Sequence, residues 1–172
     1  MRVLLVSGST RMASTNAAAL RTVHALDVNG YSTILYGQLA DLPAFNPDDD
    51  TDDPPAAVAV LRAAIDDVDA VLFCTPEYAG SLPGSFKNLL DWTVKGGQLY
   101  GKPVASLNVA APGRGDGAQA NLRTVLGYVG AVPIEAASVR VTVPREAVGP
   151  DGLIADPDLR SRLREVLTAM TV

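Results

Sequence analysis

Five apolar runs separated by helix-length segments constrain this chain more than any other feature. The runs Arg2–Ser7, Thr33–Tyr36, Ala70–Cys74, Val104–Ala110 and Ile134–Val143 are rich in Val, Leu and Ile. Most do not alternate apolar with polar residues, which marks strands covered on both faces. Between and after them lie Ser14–Asp27, Pro55–Asp67, Pro83–Lys95, Ala118–Gly130 and Asp158–Met170. Pro55 and Pro83 suit first helical turns, where a missing N–H costs nothing. In the last segment Leu159, Leu163, Val166 and Leu167 form one apolar stripe. A strand–helix alternation repeated five times predicts an α/β chain, with a doubly wound parallel sheet and helices on both faces. The 172 residues fit one domain, residues 1–172, with no internal repeat or low-complexity linker to divide it.

Composition removes several function classes. No apolar run reaches the roughly 18–20 residues of a membrane helix, and the start MRVLLVSG is too short for a signal peptide. The single cysteine, Cys74, excludes an internal disulfide and a cysteine-rich zinc site, and suits a reducing cytoplasm. His24, the lone histidine, falls in a predicted surface helix, which argues against metal ligation and a Ser-His-Asp triad. A net charge of -5 argues against nucleic acid as a partner. The acidic stretch Pro43–Pro55 places Asp48, Asp50 and Asp52 like the opening of a calcium loop. However, Asp53 stands where that loop needs glycine and Ala59 where it needs glutamate, so the stretch reads as a solvated acidic loop.

In an open α/β sheet, ligands sit beyond the carboxyl ends of the strands, where the strand order reverses. The first strand ends in Gly8, Ser9, Thr10 and Arg11, and then Ser14, Thr15 and Asn16 open the first helix. Gly8 permits a tight turn, the short polar side chains supply hydrogen bonds, and the Arg11 fork matches phosphate oxygens. The helix start adds free N–H groups and a partial positive charge. A helix cap needs only one such residue, so the cluster predicts a phosphate site. The Walker pattern is absent, because Ala13 stands where its second glycine belongs and no lysine follows. A GxGxxA match occurs later, at Gly113–Ala118. Only one strand follows it, and Glu135 would open that strand instead of closing it, so a dinucleotide fold is not supported.

The second loop, TPEYAGSLPGSFKNLLDW over Thr75–Trp92, is stiffened by Pro76 and Pro83 and opened to a flat ligand by Gly80 and Gly84. The pair GSTRxxSxN after the first strand and TPEYxxSxPGxxKNxLDW after the third resembles the NADPH-dependent FMN reductases, a family of flavodoxin-like proteins that includes quinone, azo-dye and chromate reductases. The stretch GKPVASLNVAAPGRGDGAQA and the tail PDGLIADPDLRSRLREVL extend the likeness over most of the chain. The resemblance implies a flavodoxin-like five-stranded sheet of order 2-1-3-4-5. It implies that Ser9, Arg11, Ser14, Thr15 and Asn16 surround the phosphate of FMN. Pro76, Glu77, Tyr78, Gly80 and Ser81 would then wrap the flavin ring, and the turn of Pro112, Gly113, Arg114 and Gly115 would close its pyrimidine edge. Two departures stand out: Ala79 where the family often has Asn, and Ala111 where it often has Ser. Each removes a side-chain hydrogen bond near the ring.

The resemblance thus implies an FMN enzyme that takes a hydride from NADPH or NADH and passes electrons to a small-molecule acceptor such as a quinone or free flavin. No side chain is obligatory as acid or base, with Arg114 a possible helper toward reduced flavin. The alternatives are a flavodoxin-type electron carrier without its own NAD(P)H oxidation and an interaction module with a vestigial flavin site. Arg11 and Arg114 favour the reductase, which must also attract a nucleotide. Glu77 is expected to brace its loop by accepting backbone N–H groups, and Cys74 to be a small core residue. Lys87 reads equally as a solvated or an interface charge. Trp92 projects off the stripe formed by Phe86, Leu89, Leu90 and Thr93, which predicts a homodimer or homotetramer built on that helix.

Overall fold

The structure, a computed structural model, describes residues 1–171. Its sheet contains β1 (Arg2–Ser7), β2 (Ser32–Tyr36), β3 (Ala70–Cys74), β4 (Pro103–Leu107) and β5 (Val132–Pro133). All neighbours pair in parallel and the order is β2-β1-β3-β4-β5, as the resemblance implies. The five helices are α1 (Thr15–Ala25), α2 (Ala56–Asp66), α3 (Gly84–Asp91), α4 (Asp116–Tyr128) and α5 (Pro157–Thr168).

Alternation along each strand sorts the core into two layers. Val3, Leu5, Leu72 and Leu107 face α1 and α5, where Leu20, Val23, Leu163 and Val166 cover them. Leu4, Val6, Val71 and Phe73 face α2, α3 and α4, meeting Leu61, Phe86, Leu89 and Leu122. All five residues of β3 are buried, which explains why its sequence is unbroken by polar residues. Helix starts arise from local chemistry. The Ser14 hydroxyl caps α1, Asp156 caps α5 with Pro157 behind it, and Pro55 and Pro83 sit just ahead of α2 and α3.

The fifth strand departs from the sequence expectation. The apolar run Ile134–Val143 is not one strand, because β5 stops at Pro133 and residues Glu135–Ala137 wind into a short 3-10 turn. The Ser106 N–H, which a continuous strand would satisfy, is met instead by the Ser138 hydroxyl at 3.2 Å. Pairing resumes at one bridge, where Asn108 N–H donates to the Val139 carbonyl (3.0 Å) and Val141 N–H donates back to Asn108 (2.9 Å).

Trp92 supplies the second correction. Trp92 is the C-cap of α3, still in helical conformation with its N–H on the Asn88 carbonyl, but its side chain is wholly buried within this one chain. The ring meets Phe45 edge-on at 4.9 Å, and its Nε1–H donates to the Pro43 carbonyl at 2.9 Å. The acidic stretch therefore packs Pro43 and Phe45 over Trp92 while Asp48, Asp49, Asp52 and Asp53 stay exposed to solvent, as expected of them. Asp50 turns inward to pair with Arg62 at 2.7 Å, and Arg62 also donates to the Trp92 carbonyl. The Trp92 basis for a subunit interface fails. No helix among the described residues is long and apolar enough to cross a membrane.

Candidate flavin site

Register brings three strand ends side by side, with Ser7 opposite Cys74 and Cys74 opposite Leu107. The chain goes from β1 to β2 on one side and then to β3 on the other, so the loops after β1, β3 and β4 meet at the switch point.

The first loop leaves β1 tight against β3, with Gly8 N–H bonded to the Cys74 carbonyl at 2.9 Å. A Cβ at Gly8 would run into the Thr75 side chain and the Phe86 ring, so only glycine allows that approach. Ser7 Oγ accepts from Ser9 N–H (3.2 Å) and Ser9 Oγ accepts from Arg11 N–H (3.3 Å), giving two nested turns. Ser14 is spent as the cap, its hydroxyl accepting from Ala17 N–H. Asn16 is buried, and its Oδ1 accepts from the Cys74 thiol at 3.3 Å. The N–H groups of Thr15 and Asn16 meet no acceptor among the described residues, and the Arg11 side chain makes no hydrogen bond or ion pair there.

The second loop is clamped to α4. Glu77 accepts the Ala118 N–H at 3.1 Å, which is the bracing role expected of it. A Cβ at Gly117 would collide with the Gly80 carbonyl and the Glu77 carboxylate, so the helix start and the loop pack backbone to backbone. Tyr78 and Ser81 exchange two 3.0 Å backbone bonds around Ala79 and Gly80, whose φ values are 51° and 75°. Two positive φ angles make this a type I′ turn. Ala79 is the one non-glycine with positive φ among the described residues. Asn enters that region more readily than Ala. The departure at Ala79 thus carries a backbone cost beyond the lost amide. Tyr78 stays half exposed at the rim.

The third loop begins at buried Asn108, whose Oδ1 accepts from Ala110 N–H at 3.0 Å. Arg114 N–H closes a turn onto the Ala111 carbonyl at 3.0 Å, and Gly115, at φ 81°, precedes α4. The Arg114 side chain, like that of Arg11, has no partner among the described residues. A second arginine, Arg140, reaches in from beyond β5 to hold this turn's carbonyls.

Six of the predicted site residues, Thr15, Asn16, Pro76, Glu77, Arg114 and Gly115, line one cavity of about 250 Å³. Thr75, Val109 and Ala110 complete its walls and were not among the residues expected there. Ser9 and Arg11 line a neighbouring hollow of about 360 Å³ that runs toward the end of β2 and Tyr36. Ser14 lies beneath the loop, and Tyr78, Gly80, Ser81, Pro112 and Gly113 lie outside both sets of walls. A larger cavity of about 430 Å³, between α4 and the β4–β5 edge, contains none of the predicted residues. Burial pushes the Cys74 thiol pKa up, so the thiol stays neutral and is no nucleophile. Burial, with the Asp41 carboxylate second, pushes the Tyr36 phenol up to about 12.

The chain is 33% identical to an NAD(P)H-dependent FMN reductase of Pseudomonas aeruginosa, an alignment covering 99% of this chain and 93% of the relative. It is 30% identical to a quinone reductase of Escherichia coli K12, over 98% and 93%. Among solved structures, the flavoenzyme NAD(P)H:(acceptor) oxidoreductase FerB of Paracoccus denitrificans superposes with a TM-score of 0.82 at 31% identity, covering 98% of this chain and 94% of that one. The signature of the family described as NADPH-dependent FMN reductase runs through residues 1–143, and with it the chain belongs to that family.

Proposed function

We propose that the cavity between the three loops holds FMN and that the chain oxidises NADPH or NADH to reduce a small-molecule acceptor of quinone type. One observation carries this reading: the unpaired N–H groups of Thr15 and Asn16 and the unpaired Arg114 side chain, from two separate loops, line one switch-point cavity, with Arg11 on the wall of a second hollow. The N–H groups of Thr15 and Asn16 and the free Arg11 guanidinium supply a place for a phosphate dianion. Pro76, Glu77 and Gly115 offer a narrow, stiff slot for a flat ring, with Tyr78 beside its open edge.

When bound, FMN supplies the redox chemistry, accepting a hydride from the nicotinamide and passing two electrons on. The chain's own work is to bind and orient. Arg11 anchors the phosphate end, and Arg114 sets a positive charge at the opposite end, where a nucleotide phosphate or an electron-rich ring is favoured. The lone histidine is far from this work, its Nδ1 sharing a 2.9 Å hydrogen bond with Thr33 Oγ1. Reductase relatives and two unpaired arginines favour this reading over a flavodoxin-type carrier. A reducing cytoplasm suits the buried, neutral Cys74.

A homo-oligomer belongs to the proposal on a different surface. Tyr100 and Tyr128 are 81% and 89% exposed, and Tyr100 packs beside Gly130, two residues beyond Tyr128. Large aromatics presented this way are what interface cores use. The direct test of function is the visible spectrum of the purified protein, followed by anaerobic addition of NADPH. A bound-flavin spectrum that bleaches supports the reading. A colourless protein that takes up no added FMN overturns it.

A further inference from the structure

We infer that Arg140 is a positioning residue that aims the N–H groups of the 110–116 turn at bound flavin and thereby sets its reduction potential. The inference rests on the FMN reading and deepens it. Arg140 Nη1 donates to three carbonyls of one turn, those of Ala110 (3.0 Å), Ala111 (2.9 Å) and Arg114 (2.7 Å). Its Nη2 pairs with the Asp116 carboxylate. In a trans peptide the C=O and the following N–H point in opposite directions, and the chain has no cis bonds among the described residues. Drawing the Ala110 and Arg114 carbonyls onto the guanidinium therefore turns the N–H groups of Ala111 and Gly115 away from it. Neither N–H meets a protein acceptor among the described residues, and Gly115 lines the 250 Å³ cavity.

The arginine is itself fixed. Backbone bonds on either side of Arg140, from Asn108 N–H to Val139 and from Val141 N–H to Asn108, lock it beside β4. Arg162 donates to its carbonyl at 2.9 Å, and Thr142 Oγ1 donates to the Ala110 carbonyl at 3.1 Å. A cation on the carbonyl side of a peptide polarises the N–H on the other side. A bound flavin that took up a hydride would gain one net negative charge, which N–H groups aimed at it would stabilise. Asp116, 70% exposed, partly offsets the Arg140 charge.

Two substitutions with opposite expected signs separate this role from simple loop support. In the FMN-loaded protein, Arg140→Met should lower the preference for reduced over oxidised flavin tenfold or more, a fall of about 30 mV or more for a two-electron couple. It should weaken FMN and riboflavin equally, because it acts at the ring and not at the phosphate. Arg140→Lys keeps the charge and should recover part of the potential. Asp116→Asn removes the offsetting charge and should raise the potential. A lowered melting temperature with the potential unmoved in both Arg140→Met and Asp116→Asn would overturn the assignment, as would shifts of the same sign. If Arg140→Met fails to fold, the sign of the Asp116→Asn shift decides alone. Wild-type protein that binds no FMN strikes down the flavin reading itself. Wild-type binding with unmoved variants strikes down only Arg140.

Discussion

The Glu77 carboxylate accepts the backbone N–H of Ala118 across 3.1 Å, so the loop after β3 and the start of α4 move as one piece. Ala118 is fully buried, and losing the acceptor leaves its N–H unsatisfied. Glu77→Ala should then cost about 1–3 kcal/mol of stability and loosen the slot for the ring. Glu77→Gln keeps an acceptor and should restore most of that loss. Thermal denaturation of both variants checks the pair. Equal destabilisation by Ala and Gln would mean that charge, and not the acceptor, matters.

Trp92 belongs to the monomer's core, and its substitution should be felt there. Trp92→Ala removes an edge-on contact with Phe45 and the Nε1–H bond to Pro43, and should cost about 3–5 kcal/mol. Tyr128→Glu, on an exposed side chain, should leave the fold intact and shift any oligomer toward monomer. Denaturant melts and sedimentation distinguish the two. A fully stable Trp92→Ala that dissociates would return Trp92 to a subunit interface.

Most of the sheet is legible in the sequence because burial on both faces leaves a direct mark, as in the unbroken AVLFC of β3. The same mark misleads at Ile134–Val143. There apolar residues pack against the core from a 3-10 turn and an irregular stretch, and a serine hydroxyl stands in for the ladder. Arg140 lies inside that run, and an arginine among apolar residues is the signal that could have exposed it. Trp92 misleads because the face it projects from, off the apolar stripe, is covered by the chain's own Pro43 and Phe45, a long-range contact that helix periodicity cannot show. Thr10, Arg11 and Thr15 are outward enough to serve a ligand, whereas Ser14 and Asn16 are partly consumed by the fold. Nothing in residue type separates those two fates, since a cap and a ligand donor have the same chemistry.

Tyr36 gives a pH signature. Its hydroxyl is buried without a hydrogen-bond partner, and its pKa is raised from 10.0 to about 12. Between those values the unfolded chain loses the phenolic proton while the folded one keeps it, so stability falls as pH rises. The contribution is fully present below pH 10 and gone above about 12. Tyr36→Phe should flatten this alkaline loss and be neutral or slightly stabilising at neutral pH, because it removes an unsatisfied polar group. Melting temperatures measured from neutral pH up to about 12 test it. An unchanged alkaline limb would assign the loss to other groups.

The phosphate assignment makes the sharpest prediction. Arg11 has no protein partner among the described residues and lies four residues ahead of the first turn of α1, so its charge is available to a dianion. Charge-assisted hydrogen bonds contribute about 1.5–3 kcal/mol each. Losing one or two in Arg11→Ala should weaken FMN binding about 10- to 1000-fold, at ~1.4 kcal/mol per decade. Riboflavin carries the same ring without the phosphate, so its affinity should hardly respond. Calorimetric titration of the apoprotein with both ligands separates the two. Raising salt should weaken FMN more than riboflavin in the wild type, since part of the attraction reaches an exposed guanidinium that ions screen. That difference should shrink in Arg11→Ala. Equal losses for FMN and riboflavin would place Arg11 in support of the ring or the loop, and the phosphate would then belong elsewhere.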